Sequence, residues 1–556
     1  MAAMEEQPLS SSSTSMAIVL SLLKNNPADA VLLALVAVVT VVALRHYLIS
    51  SWRQQEQARR LPPGPRRLPV IGHLHLLRPP VHRTFQELAS RMGPLMHIQL
   101  GSTHCVVASS PEVASELIRG HEGSISERPL TAVARQFAYD SAGFAFAPYN
   151  THWRFMKRLC MSELLGPRTV EQLRPIRRAG TVSLLGDLLL AAASSETETE
   201  TVVDLTRHLI RLSNTSIIRM VASTVPGSVT DEAQELVKAV AELVGAFNAD
   251  DYIAVIRGWD LQGLRRRAAD VHRRFDALLE DILKHKEEAR AARRRLDDDD
   301  GHRVSKKQAT APHSKDLLDI LMDKAEDPAA EVKLTRENIK AFIIDVVTAG
   351  SDTSAAMVEW MLAELLNHPE TLRKVVEEID AVVGGDRIAS EADLPQLPYL
   401  MAAYKETLRL HPAAPIAHRQ STDEMVVRGF TVPPQTAVFI NVWAIGRDPA
   451  YWEEPLAFRP ERFMPGGAAE SLEPRGQHFQ YMPFGSGRRG CPGMGLALQS
   501  VPAVLAALVQ CFHWATVDGD GDSKIDMSES DGLVCARKKP LLLRPTPRLS
   551  PFPAVV

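Results

Sequence analysis

The chain has 556 residues, 63 basic and 67 acidic side chains and a formal charge of −4 at pH 7 with histidine neutral. So balanced a surface has no global field for nucleic acid, and the 18 histidines show no zinc-ligand spacing, which excludes nucleic-acid binding and zinc modules. Five cysteines (Cys105, Cys160, Cys491, Cys511, Cys535) include no CxxC pair, and so sparse and odd a set points to a reducing compartment rather than a disulfide framework.

From residue 30 to 44 every side chain except Thr40 is apolar, and the run reaches Ile49 if Arg45 and His46 turn their polar ends to the interface. Roughly 20 residues cross a bilayer, so residues 28–49 are expected to be a membrane anchor after a tail, 1–27. A cleaved signal peptide would open on a basic segment, whereas here Glu5 and Glu6 lead and only Lys24 precedes the run. Arg45, Arg53, Arg59, Arg60, Arg66 and Arg67 follow, which by the positive-inside rule places the rest in the cytosol. The basic linker, 50–68, contains Leu61-Pro62-Pro63-Gly64-Pro65, whose prolines favour a stiff extended spacer. The body is expected over 69–545, with a tail at 546–556.

Alternating residues at 95–100, a Gly101-Ser102 turn and Cys105-Val106-Val107 read as a β-hairpin, with Cys105 in the core. Ser110 precedes Pro111 as an N-cap precedes the first helical position, and 111–119 reads as a short helix. A loop at 144–148 leads into a basic, aromatic helical segment at 152–160, where Arg154, Lys157 and Arg158 suit an acidic electron donor. Helical periodicity continues at 170–190 and 231–246. The low-complexity stretch 196–201 reads as a surface loop. Arg293-Arg294-Arg295, Asp297 to Asp300 and the residues to 314 are almost free of large apolar side chains, which predicts an exposed, mobile loop within one fold.

Residues 335–367 have periodic apolar positions, a Thr335 cap and no proline before Pro369, which predicts a helix about 50 Å long at 1.5 Å per residue. At its middle, Ala349-Gly350-Ser351-Asp352-Thr353-Ser354 sets a hydroxyl and a carboxylate among apolar neighbours. Such a pair either bonds back to the helix's own carbonyls or relays protons. Residues 399–410 read as a helix ended by His411-Pro412, with Glu406 and Arg409 three apart on one face. The stretch from Pro412 to Arg419 is proline-fixed and extended.

Phe484-Gly485-Ser486-Gly487-Arg488-Arg489-Gly490-Cys491-Pro492-Gly493 sets one cysteine in a glycine-rich, doubly basic loop. A thiolate ligand needs positive charge and amide dipoles to hold its anion. Arg488 and Arg489 are expected to supply the charge. The positive end of a helix over 494–508, kinked at Pro502, is expected to supply the dipoles.

The spacing Phe484-x-x-Gly487-x-Arg489-x-Cys491-x-Gly493 resembles the haem-binding signature of cytochrome P450 monooxygenases, whose cysteine is the axial ligand of haem iron. The resemblance implies a mainly α fold with a small β-rich lobe and one N-terminal membrane helix. It extends to Asp352 and Thr353 as an oxygen-activation motif. There a hydroxyl that orients water and an acid linked to solvent would deliver the protons that O–O cleavage requires. Trp153, Lys157 and Arg419 fit the family's haem-propionate contacts, with Lys157 where arginine is usual. Phe484, Arg489 and Gly493 complete the cofactor loop. Glu406 and Arg409, with Arg462 in Phe458-Arg459-Pro460-Glu461-Arg462-Phe463, resemble a buried scaffold network. Ala349, Ala413, Ala414 and Ile416 would line the substrate pocket, and His418 reads as a donor behind the contacting residues.

The implied cofactor is haem b, with O2 as co-substrate. Electrons would come from NADPH through a separate reductase, since the chain has no nicotinamide or flavin fingerprint of its own. The implied location is the endoplasmic reticulum membrane, single-pass, with the catalytic body cytosolic and in contact with lipid. Pro415 to Gln420, Trp153 to Lys157 and Phe484 to Leu498 resemble the plant flavonoid-oxidising branch of flavone synthase II and flavanone 2-hydroxylase. That branch implies oxidation at C2 of a flavanone such as naringenin. A flavonoid ring hydroxylase and a haem-thiolate hydroperoxide isomerase are the alternatives. The isomerase would not require Asp352 and Thr353.

Overall fold

The computed structural model describes residues 60–193, 202–223, 227–300, 315–517 and 524–553, with scattered positions between Val31 and Val41. Those scattered positions are helical and exposed, and the Thr40 hydroxyl donates to the Val36 carbonyl at 2.7 Å, which satisfies it within the helix. The rest of the expected anchor at 28–49, the tail at 1–27 and the stretches 196–201 and 301–314 lie outside the described residues.

From Pro62 onward the chain alternates helices with short strands. Val81–Met92 (α1) precedes the hairpin Leu95–Leu100 (β1) and Thr103–Ala108 (β2), in which Leu95 faces Ala108 and Leu100 faces Thr103, as the alternation predicts. Pro111–Ser115 (α2) follows, capped by Ser110, whose side chain accepts from the Val113 amide. β2 runs parallel to Ala437–Asn441 (β4), which pairs antiparallel with Ile416–Gln420 (β3), so the sheet order is β1-β2-β4-β3. Phe85 of α1 packs on Met96, Ile98, Val107 and Phe439 of this sheet. Cys105 is buried there and its thiol is pushed up to about 12 by burial, the core role expected of it.

The proline-rich stretch is not a free spacer. The His97 amide donates to the Pro63 carbonyl at 2.8 Å, and a Cβ on Gly64 would lie 2.1 Å from the His97 carbonyl oxygen. Gly64 is therefore where the extended chain is laid directly on β1, and the prolines belong to the body.

The longer helices are Thr151–Leu159 (α3), Arg174–Ala193 (α4), Leu205–Val221 (α5), Gly227–Gly245 (α6), Leu264–Asp300 (α7) and Leu317–Glu326 (α8). Then come Arg336–Asn367 (α9), Pro369–Val383 (α10), Pro398–Leu410 (α11) and Met494–Cys511 (α12). α9 has the Thr335 cap, in a capping box with Asn338, and passes through both main cores. Its first half packs with α3, α5, α6, α7 and α8, and its second half with α10, α11 and α12. α9 and α12 are apolar enough to cross a membrane, but they owe that composition to burial inside the fold. α12 continues unbroken through Pro502.

Arg293–Arg295 are helical, not a loop: α7 runs to Asp300. Charge rather than apolar surface holds this end. Lys286 reaches Asp316 and Asp319 at 2.6 and 2.8 Å, Arg290 reaches Asp323 at 2.7 Å, and Arg294 reaches Glu326 at 2.6 Å, all across to α8 and its cap. A hydropathy pattern cannot register that support.

Candidate active site

The cysteine loop is shaped by two glycines in the left-handed region, Gly485 at φ 70° and Gly487 at φ 69°, where a side chain would be strained. The Cys491 amide donates to the Phe484 carbonyl at 2.9 Å, which closes the loop beneath the thiol. The other four cysteines are buried, whereas Cys491 is accessible. The surrounding protein nevertheless raises its thiol above the ordinary value. The Gly493 and Met494 amides at the start of α12 oppose that shift, as do the charges of Lys157 and Arg128.

That assignment corrects the sequence expectation that Arg488 and Arg489 supply the charge. The Arg488 amide donates to Glu122 at 2.7 Å and its guanidinium lies 4.4 Å above the Tyr149 ring. Arg489 spends its donors on the Ser126, Phe144, Ala145 and Ala147 carbonyls and lies 4.7 Å over Trp153. Lys157 points inward from α3 to the Gly490 carbonyl at 2.9 Å, next to the cysteine, so it is not part of a donor-facing surface. Of the three basic residues expected to face an electron donor, Arg154 and Arg158 are exposed, and Arg158 pairs with Glu331.

Around this loop lies a cluster of donors with few acids. Burial lowers Arg128; it lowers Arg419 to about 9 with help from Arg128 and Arg489, and Arg489 to about 10 with help from Arg128. His418 packs edge-on against Phe439 at 5.0 Å, and burial together with Arg128 and Arg419 pushes it down to about 4. The Trp153 indole N–H is buried with no hydrogen-bond partner among the described residues. Crowded guanidiniums beside an orphaned donor suit the two carboxylates of a haem, and an accessible thiol suits its iron. The residues present therefore fit the group. Sequence reasoning missed Arg128 and read His418 only as a donor behind the contacting residues; a lone arginine in a loop carries no periodic or motif signal.

On α9, Ser351 is fully buried and its hydroxyl donates to Val347 at 2.7 Å, while Thr353 donates to Ala349 at 2.7 Å. Both back-bonds are made, yet Thr353 stays half-exposed and Ala349 is exposed in mid-helix. Ala349 and Thr353, one turn apart, form an accessible strip. Asp352 is raised above the ordinary carboxyl value by burial, partly offset by Lys238 and reinforced by Glu242 on α6.

Asp345, one turn before Ala349, was not anticipated. Its carboxylate accepts the Phe144 and Ala145 amides at 2.6 and 2.9 Å, and Phe144 stacks on Trp153 at 5.8 Å. The 144–147 segment thus joins α9 to Arg489. Burial lifts Asp345 to about 6, so ionising it costs the folded chain. Stability is expected to fall as pH rises from the ordinary 3.8 to about 6 and to level off above that. Asp345→Asn should flatten that part of the profile in thermal melts taken from pH 4 to 7. Asp345→Ala should lower stability by about 1–3 kcal/mol for each amide left unpaired.

Glu406 and Arg409 are buried and bonded in parallel at 2.7 and 2.7 Å, and Arg462 joins Glu406 at 3.2 Å. The three form one buried ionic network, and Tyr481, three residues before Phe484, donates to the Lys405 carbonyl at 2.9 Å. The expected pocket residues divide. Ala414 is exposed, the Ala413 carbonyl accepts from Cys535, and Ile416 packs against the β-lobe core.

The Cytochrome P450 family model matches residues 62–544, and the chain belongs to that family. Among relatives, Cytochrome P450 93G1 of Oryza sativa subsp. japonica is 77% identical over 90% of this chain and 92% of its own. The 3,9-dihydroxypterocarpan 6A-monooxygenase of Glycine max is 44% identical over 94% and 99%, and Cytochrome P450 93B2 of Gerbera hybrida 42% over 87% and 91%. These relatives place the chain in the plant 93 clade. A zebrafish cytochrome P450 solved with progesterone shares the fold, with TM-score 0.68 at 23% identity, covering 84% of this chain and all of that one. The protein is accordingly a haem-thiolate monooxygenase, which takes O2, a small-molecule substrate and electrons that originate in NADPH and pass through a reductase.

Proposed function

We propose that Cys491 is the axial thiolate ligand and that the enzyme removes the C2 hydrogen of a flavanone such as naringenin, giving a 2-hydroxyflavanone, a flavone or both. The observation that carries the site assignment is the accessible thiol of Cys491 beside the guanidiniums of Arg128, Arg419 and Arg489, none of which makes a salt bridge among the described residues. Haem held there supplies the oxygen activation. Trp153, Arg128, Arg419 and His418 hold its propionates. Lys157 contributes charge at the cysteine loop, and Phe484, Arg489 and Gly493 shape that loop.

Asp352, its proton affinity raised by burial, takes protons from the charged face of α6 and passes them through water to Thr353. Thr353 already donates to Ala349, so its oxygen is free to accept from that water. Asp352→Asn and Thr353→Val are each expected to lower product formation on the order of 10²-fold, while NADPH consumption continues. Parallel assays of NADPH and product check this, and equal losses in both would contradict the relay.

Support for a flavonoid substrate comes from the residues resembling the flavone-forming branch. It comes also from relatives named for related compounds, the pterocarpan monooxygenase and, at 37% identity, a flavonoid 3'-monooxygenase of Crocosmia x crocosmiiflora. The latter favours ring hydroxylation as a second reading. We place the enzyme on the endoplasmic reticulum with a single N-terminal span at 28–49 and the body in the cytosol, as the apolar run and the arginines after it imply. Microsomes containing the protein and a reductase, given naringenin with and without NADPH and analysed by mass spectrometry, test the reaction. C2 products support the first reading and a 3'-hydroxylated flavanone the second. Unchanged naringenin from protein with an intact thiolate-type carbon monoxide spectrum overturns both.

A further inference from the structure

A cavity of about 180 Å³ lies where α4, α5, α9 and α12 meet, with the 388–392 segment at one side. Its existence follows from residue size. A Cβ on Gly350 would come 3.1 Å from Ile217 Cδ1, so α5 lies hard against α9 there, while the neighbouring wall positions Ser213, Ser354, Ser500 and Ala503 are too short to fill the corner beyond. Val358 and Val504 line the rest with apolar surface.

The polar groups on its wall are underused. The hydroxyls of Ser213, Ser216 and Ser354 have no hydrogen-bond partner among the described residues, although each faces the cavity. The basic side is similar. Arg177 is bonded twice to Glu391, at 2.7 and 2.6 Å, which uses up that carboxylate. Arg174 spends one terminal nitrogen on Glu171 and reaches Glu391 only at 3.7 Å, and its Nε is buried without a hydrogen-bond partner among the described residues. Arg178, exposed on α4, has no carboxylate partner among the described residues. One side of the cavity therefore offers guanidinium donors, the middle is apolar, and hydroxyls await partners along the wall.

We propose that this cavity is a second small-molecule site, separate from the oxygen-activating site, for a planar hydroxyaryl carboxylate. The carboxylate meets Arg174 and Arg178, the ring lies against Val358 and Val504, and the phenol bonds the serine hydroxyls. Gly350 and Ser354, which touch this site, lie about 100° around α9 from Ala349 and Thr353.

The test uses the full-length holoprotein in lipid nanodiscs with clotrimazole on the haem iron, and 4-coumarate as probe in equilibrium dialysis. One 4-coumarate per chain is expected to bind. Its methyl ester and the Arg178→Glu variant should each weaken binding at least tenfold, and Ser213→Leu, which fills the cavity, should abolish it. Both variants should keep the wild-type carbon monoxide spectrum; Arg178 is exposed, so Arg178→Glu remains informative if Ser213→Leu fails to fold. No binding to the iron-blocked protein, binding untouched by Arg178→Glu, or an ester that binds as well as the acid overturns the proposal.

Discussion

Glu406→Gln is expected to leave little folded holoprotein. Glu406 is fully buried and is, among the described residues, the only carboxylate bonded to Arg409 and Arg462, which are 2% and 6% exposed. It also accepts the Arg459 amide at 2.9 Å. Glutamine keeps the shape but removes the charge, so two guanidiniums remain in the interior without a counter-ion. Breaking a buried pair in this way costs about 3–5 kcal/mol, against a total stability of roughly 5–15 kcal/mol for a folded domain. Arg409 cannot swing out to water, because its other donors hold the Gly446 and Pro455 carbonyls, both at 2.7 Å. Thermal melts, together with the yield of the reduced carbon monoxide complex per milligram, measure the effect. A wild-type midpoint would contradict it.

Cys491→Ser should fold and lose the chemistry. The loop is closed by the backbone, with the Cys491 amide on the Phe484 carbonyl and the Gly490 amide on Gly487, and none of this needs sulfur. A serine hydroxyl is far harder to ionise than a thiol, so the Gly493 and Met494 amides and the charges of Lys157 and Arg128 cannot hold it as an anion. The thiolate-type spectrum should disappear and product formation fall to background, while the melting midpoint changes little. A retained spectrum would assign the ligand elsewhere. Lys157→Met, by contrast, should leave the spectrum thiolate-type with less of the thiolate form, because Arg128 and the amides remain.

What could be read from the sequence was what is encoded locally. Ser110 and Thr335 cap their helices because the groups they satisfy are three residues away. The β1–β2 hairpin and the long α9 follow from alternation and period. Glu406, Arg409 and Arg462 were legible because their spacing is itself a motif. The missed parts are long-range. Arg128 and Asp345 both bond the 144–147 segment and feel each other's charge, and neither sits in a pattern that marks it. Arg293 to Arg295 looked like loop because their support is ionic and comes from α8. Lys157 reads both as a haem-propionate contact and as part of a donor-facing surface, and in the structure it points inward to the Gly490 carbonyl. A charged residue on an amphipathic helix looks the same whether it serves solvent or a carbonyl in the interior.

That direction has a mechanical consequence. α3 carries Arg154 and Arg158 on its outer side and Lys157, bonded to the Gly490 carbonyl, on its inner side. Gly490 is bonded through one peptide to Cys491. One short helix therefore joins two exposed arginines to the loop that carries Cys491.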